Sequence, residues 1–312
     1  MRYIERAILK IFLRKLTPNK ALLLLGPRRV GKTVFIGQVL EKLKEPHLLL
    51  NGENVETTDM LQKRSTENYK KVLAGKKILI IDEAQKIPDI GNILKLMVDE
   101  IKGIKIIATG SSAFDLTHRV GEPLTGRKIT FHLYPLSQSE LSQTETLIQT
   151  KSRLEERLIF GGYPELLRMQ TKKDKTEYLQ EIISSYLLKD ILTFEGIRNS
   201  RKLLDLLRLI AFQIGKEVSL NELGTQLGIS KNTVERYMDL LSKVFIIYRV
   251  SGFSRNLRKE ITKTSRWYFF DNGIRNALIA NHNALNLRND AGELWENYVL
   301  SERMKHQSYT GM

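Results

Sequence analysis

One stretch constrains this chain more than any other: Ala21-Leu22-Leu23-Leu24-Leu25-Gly26-Pro27-Arg28-Arg29-Val30-Gly31-Lys32-Thr33. An apolar run stops at Gly26, and Gly31-Lys32-Thr33 then opens an apolar-periodic segment that reaches Leu43. This is G-x-x-x-x-G-K-T in the setting it requires, a buried strand, a glycine-bounded loop and a helix. Gly26 and Gly31 free the backbone. The loop Gly26, Pro27, Arg28, Arg29, Val30, Gly31 can then curl its N–H groups around phosphate oxygens at the positive end of a helix. Lys32 reaches β- and γ-phosphates as a point charge, and the Thr33 hydroxyl is placed to ligate Mg²⁺.

The segments around it alternate in type. Ile4, Ile8, Phe12 and Leu16 predict a helix over 4–16, stopped by Pro18 and Asn19. Strands are expected at 47–51, 76–83, 104–109 and 129–134, with helices at 57–74 and 89–102 between them. From residue 22 to 134 this alternation specifies an α/β fold with a doubly wound parallel sheet.

Two carboxylates end the strand Ile78-Leu79-Ile80-Ile81-Asp82-Glu83. At the carboxyl end of a parallel strand Asp82 can hold Mg²⁺ through water, and Glu83 can orient or deprotonate an attacking water. The competing reading is a strand that simply emerges into solvent. Ser111, in Thr109-Gly110-Ser111-Ser112-Ala113, offers a hydroxyl at the next such strand end, as a γ-phosphate sensor or as an ordinary turn residue. Arg127 reads as a phosphate-facing arginine, in cis or across a subunit boundary, or as a surface residue.

Residues 136–199 read as helical, broken by a tight hinge at Gly161-Gly162-Tyr163-Pro164-Glu165. An amphipathic helix is expected over 176–194. Helix-turn-helix character comes next, over 218–238, where Ser219 and Glu222 have capping-box spacing, Gly228 supplies the turn and Ser230 caps a second helix. Residues 244–250 and 266–270 are β-rich and would form a wing. Residues 249–268 carry Arg249, Arg255, Arg258, Lys259, Lys263 and Arg266 against Glu260 alone. On double-stranded DNA, Lys231, Asn232, Thr233, Arg236 and Tyr237 would face the major groove and the wing arginines would meet phosphates. A packing module between domains is the alternative.

Composition narrows the partners. The balance of 50 Lys+Arg against 35 Asp+Glu, a net charge of +15, favours a polyanion such as nucleic acid or a phosphate surface. With no cysteine, disulfides, thiolate nucleophiles and zinc-thiolate sites are excluded, which agrees with a reducing cytoplasm. The amino terminus lacks the apolar core of a signal peptide, and no apolar run approaches the ~20 residues of a membrane helix.

In series, these motifs resemble the AAA-type ATPases of bacteria and archaea that carry a C-terminal domain of unknown function. The resemblance runs through Gly26–Thr33, Ile81–Gln85, Thr109–Ala113, Leu124–Arg127 and Gly161–Glu165, then Phe270-Asp271-Asn272-Gly273 and the segment Gly292–Val299. It implies ATP and Mg²⁺ as ligands, with Lys32, Thr33, Asp82 and Glu83 in the roles above. It also implies an ATPase core over 1–136, a helical lid over 137–200 and a winged helix over 201–280. Residues 281–312 would begin a nuclease-like region that the family usually continues and this sequence does not. The expected function is a cytoplasmic Mg²⁺-dependent ATPase in which nucleotide state repositions the winged helix. A DNA-associated nucleotide switch without turnover and a regulatory subunit acting through protein partners are the alternatives, and oligomerisation is compatible with each.

Overall fold

Leu22 to Leu25, Ile78 to Ile81 and Ile106 to Ala108 are wholly inaccessible to solvent, which is the environment of strands covered on both faces. In the structure, a computed structural model describing residues 3–111, 124–187, 199–252 and 265–311, they are the middle of a five-stranded parallel sheet. Its strands are β1 (Lys20–Leu25), β2 (His47–Asn51), β3 (Ile78–Asp82), β4 (Lys105–Gly110) and β5 (Lys128–His132), in the order β2-β3-β4-β1-β5. The register pairs Leu25 with Gly110 on one side and with His132 on the other, so these strands end together.

The order has a topological consequence. The connection from β1 to β2 runs toward one edge, while β2 to β3 to β4 to β5 runs back toward the other. Right-handed crossovers then put α2 (Lys32–Lys42) on one face, and α3 (Val55–Gln62), α4 (Thr66–Leu73) and α5 (Ile90–Glu100) on the other. The sheet is doubly wound, as expected. On the α2 face, α1 (Leu9–Lys15) sets Phe12 edge-on against Phe35 at 5.1 Å between ring centres and tilted against Phe131 at 4.9 Å.

The single helix expected over 57–74 is two. The Asn68 side chain donates to the Met60 and Lys63 carbonyls at 2.8 and 3.0 Å, closing α3, while Ser65 accepts from the Asn68 N–H at 3.1 Å and opens α4. Side-chain caps on either side of the gap replace the helical bonds that a continuous helix would have made.

The chain divides into two compact units, Met1–Leu133 and Tyr134–Met312. The second unit, taken by itself, holds α6 (Leu154–Phe160), α7 (Lys172–Glu181), which passes into a π-helical turn at Ile182–Leu187, α8 (Ser200–Phe212), α9 (Leu220–Leu227) and α10 (Lys231–Lys243). An antiparallel ribbon, β6 (Ile247–Ser251) with β7 (Ser265–Phe269), leads to α11 (Asn272–Leu278) and α12 (Ala291–Thr310). The boundaries expected at 200 and 280 therefore fall inside one compact unit.

Two motifs without an assigned chemistry meet at its centre. Asp271 is buried and accepts backbone N–H bonds from Gly162, Gly273 and Ile274 at 2.7, 2.9 and 3.3 Å. A Cβ on Gly161, whose φ is +78°, would lie 2.0 Å from the Asp271 carboxylate, so this approach requires glycine. Asn272 and Asn276 side chains close the end of α6 by donating to the Leu158 carbonyl at 3.2 and 3.1 Å. The glycines read as a hinge thus lie against a buried polar cluster of Asp271, Asn272 and Asn276. No described helix is long and apolar enough to cross a membrane.

Candidate active site

β1 delivers the loop. Its last residue, Leu25, is followed by Gly26, where a Cβ would stand 2.2 Å from the Leu133 carbonyl oxygen, so only glycine lets the chain leave the sheet here. The loop turns through Arg29, held at φ +67°, and Gly31, at φ +91°, into α2. Asn54, Ser65, Ser219 and Ser230 each cap a helix with a side-chain oxygen, whereas α2 starts at Gly31 with no side-chain cap. Its first N–H groups have no side-chain cap, and helix starts of this kind can accept phosphate oxygens. Pro27 and Val30 are buried, Arg28 is half-buried and Arg29 is exposed.

Lys32 is buried and its Nζ donates to the Gly26 and Pro27 carbonyls at 3.0 and 3.1 Å. The cation is folded onto the same loop that it would share with a phosphate. Thr33 is exposed and donates to Asp82 Oδ2 at 2.8 Å. The two expected Mg²⁺ ligands, one from α2 and one from the end of β3, are therefore adjacent. Oxygen donors of this type suit a hard divalent cation.

Residues beyond the expected set complete the group. Thr109, wholly buried on β4, donates to Asp82 Oδ1, and its hydroxyl accepts the Glu83 N–H at 3.0 Å. Glu83 sits at φ +52°, a conformation uncommon outside glycine, and opens the short 3₁₀ turn Ala84–Lys86. From that turn Gln85 donates to Glu83 Oε2 at 2.5 Å and to Ser111 Oγ at 3.3 Å. Ser111 thus meets Gln85, while Thr109 joins Thr33 in donating a hydroxyl to Asp82. The run Ile106-Ile107-Ala108-Thr109 carries the signal, a polar side chain closing an apolar stretch of strand. His132, at the end of β5, has its pKa lowered by burial and is neutral near pH 7.

Arg127 lies elsewhere. It immediately precedes β5, and its carbonyl accepts the Ala21 N–H at 2.9 Å, at the amino end of the sheet, whereas the phosphate loop leaves the carboxyl end. Its Nε donates to Asp99 Oδ1 at 2.5 Å. A side chain a full strand length from the loop cannot act on a nucleotide in the same copy, which removes the cis reading.

In the second unit, Lys231, Asn232 and Arg236 are exposed on α10 and Thr233 is half-buried. Tyr237 is not available to a groove: it is buried, as are Met238 and Leu241, and its ring centre lies 5.8 Å from the Arg236 guanidinium carbon. Arg249 donates to Ser265 Oγ at 2.5 Å and Arg266 pairs with Glu296 at 3.8 Å. Arg255, Arg258, Lys259 and Lys263 lie outside the described residues.

Residues 18–142 match the family described as an AAA domain, and residues 151–288 match a Domain of unknown function (DUF8612). Curated relatives include an uncharacterized protein of Methanocaldococcus jannaschii, 26% identical over 92% of this chain and 67% of its own length. One of Haemophilus influenzae is 26% identical over 90% and 73%, and one of Mycobacterium tuberculosis 25% identical over 93% and 63%. Among solved structures, a RuvB mutant of Thermotoga maritima aligns with 16% identity and a TM-score of 0.36, over 78% of this chain and 87% of that one.

Proposed function

Proceeding from a chain whose residues 18–142 match an AAA domain, we propose that it binds ATP with Mg²⁺ and hydrolyses it to ADP and phosphate. The observation that carries the reading is the Thr33–Asp82 hydrogen bond at the uncapped start of α2, with Glu83 the next residue along. Bound ATP·Mg²⁺ supplies a phosphoanhydride whose cleavage is exergonic and a cation that neutralises phosphate charge.

The chain's own groups divide the remaining work. Lys32 leaves the Gly26 and Pro27 carbonyls for phosphate oxygens, exchanging neutral acceptors for charged ones. Thr33 and Asp82 hold the cation, and Thr109 fixes the Asp82 carboxylate. Glu83 takes the proton of the attacking water, with Gln85 and Ser111 setting where its side chain stands. Arg127, away from this site and paired with Asp99, keeps two of its readings, a role toward a neighbouring copy and that of a surface residue. Multiple-turnover release of phosphate by the wild type, absent from Lys32→Ala and Glu83→Gln, is the test. A wild type that binds ATP without turnover would leave a nucleotide switch.

A second component of the reading concerns α8, α9, α10 and the β6–β7 ribbon, which we take as a winged helix whose position responds to nucleotide state. Exposed Lys231, Asn232 and Arg236 at the start of α10 favour a DNA-contacting role for it. The Arg266–Glu296 pair favours the packing role instead, because it commits one wing cation to the protein itself.

A further inference from the structure

We propose that Arg6 is a positioning residue of the nucleotide site, one that sets the aim of a phosphate-binding N–H in the loop. The inference rests on the nucleotide reading and adds a residue from outside the motif. Arg6 is 5% exposed, and burying a guanidinium requires hydrogen-bonding partners. One of these is the loop: its Nη1 donates to the Val30 carbonyl at 2.9 Å.

That carbonyl shares a planar trans peptide with the Gly31 N–H, and the two point in opposite directions. Holding the Val30 oxygen toward Arg6 turns the Gly31 N–H away from it, toward the side on which the loop encloses a ligand. Lys32 grips the other arm of the loop through the Gly26 and Pro27 carbonyls. The cations differ in one respect: Lys32 must exchange partners when phosphate arrives, while Arg6 keeps its bond and adds fixed positive charge behind the loop.

Arg6 is itself held by α2. Gln38 accepts the Arg6 backbone N–H at 3.2 Å and donates to the Ile4 carbonyl at 2.7 Å, an amide paired with an extended backbone. Ile8 and Leu9, both buried, anchor the start of α1. The amino-terminal segment is therefore docked on the helix that the loop opens, with one side chain returning to the loop.

The experiment is titration of a fluorescent ATP analogue with Mg²⁺ into the full chain as wild type, Arg6→Ala, Arg6→Lys, Gln38→Ala and Lys32→Ala. It is paired with hydrogen exchange of the 26–33 segment without nucleotide. Arg6→Ala should bind about tenfold or more weakly, as expected on losing a charge-assisted bond, and exchange faster at Gly31. Arg6→Lys should recover part of both, and Gln38→Ala should shift both in the same direction by less. If Arg6→Ala does not fold, Arg6→Lys and Gln38→Ala carry the comparison. Lower thermal stability with unchanged affinity would make Arg6 a docking residue only and overturn the proposal. If wild type and Lys32→Ala bind alike, the nucleotide reading fails and takes this one with it. If Lys32→Ala alone loses binding, only the role of Arg6 is overturned.

Discussion

Thr33 and Asp82, 49 residues apart, are joined by a 2.8 Å hydrogen bond from the threonine hydroxyl to the carboxylate. A lone ion–dipole contact at an exposed threonine would add little to stability, but here it brings together two oxygen donors from different elements. Thr33→Ala and Asp82→Asn should each reduce the Mg²⁺-dependent part of ATP affinity by about tenfold, roughly the worth of one charged contact. Because both act on one ion, the double variant should lose much less than the sum. Calorimetric titration with and without Mg²⁺ checks this, and additive losses would mean separate roles.

Glu83→Gln should retain ATP binding and lose turnover, since the amide fills the same space without accepting a proton. Gln85→Leu removes the bond to Glu83 Oε2. It should lower kcat with little change in KM, as expected for a group that places the base and does not touch substrate. Turnover by Glu83→Gln at the wild-type rate would assign the proton to another acceptor.

Arg127→Ala should slow phosphate release only where copies associate. Arginines acting on transferring phosphoryl groups contribute about 10³–10⁵ in rate. Loss of the partly exposed pair with Asp99 should cost at most about 1 kcal/mol of stability. Adding a Lys32→Ala chain, which still has Arg127, should restore turnover to Arg127→Ala. Failure of that rescue, with association intact, would return Arg127 to the surface class.

How far the sequence reached depends on the range of the forces involved. The parallel strands were legible because runs such as Ile78 to Ile81 have no polar face to offer water, and the loop because Gly26 and Gly31 bound it at a fixed spacing. The break between α3 and α4 was not, because it depends on the Asn68 amide reaching back to Met60 and Lys63. Nor was the placement of Arg127, since proximity in sequence to Ser111 says nothing about which end of the sheet a residue occupies. Tyr237 is a different case. It was expected in the groove, although it stands three residues after Val234 and four before Leu241, spacings that put it on the inner face of α10, where it is buried.

Asp290 makes the second unit sensitive to acid. Burial pushes its pKa up, but hydrogen bonds from Arg288 and Arg275 outweigh that and hold it at about 2, from an ordinary value of 3.8. The folded value lies below the unfolded one, so the contribution is fully present above pH ~4 and is lost as pH falls toward 2. It is on the order of 2 kcal/mol. Asp271 runs the other way, its pKa raised by burial, and its contribution declines as pH rises above the ordinary carboxylate range. Denaturant unfolding between about pH 5 and 2.5 should therefore show an acid loss that Asp290→Asn flattens. An unchanged slope would place the acid sensitivity elsewhere.

DNA contact by α10 separates from packing by its dependence on salt. Each phosphate neutralised releases counterions, so log K should fall by roughly 0.9 per contact as log salt rises on duplex DNA. Replacing Lys231 and Arg249 together should weaken binding about equally across sequences and reduce that slope by up to ~2 units. Asn232→Ala or Arg236→Ala should instead change sequence preference, because exposed side chains on the first turns of such a helix meet base edges. Tyr237→Phe serves as the internal control: the residue is buried, so the change should leave both the slope and the preference unchanged. Salt titration of duplex binding, with and without ATP, measures all of these together. If the wild type binds no more tightly than its net charge of +15 alone would give, and neither pair of changes alters it, the three helices and ribbon pack against protein and the polyanionic partner lies elsewhere.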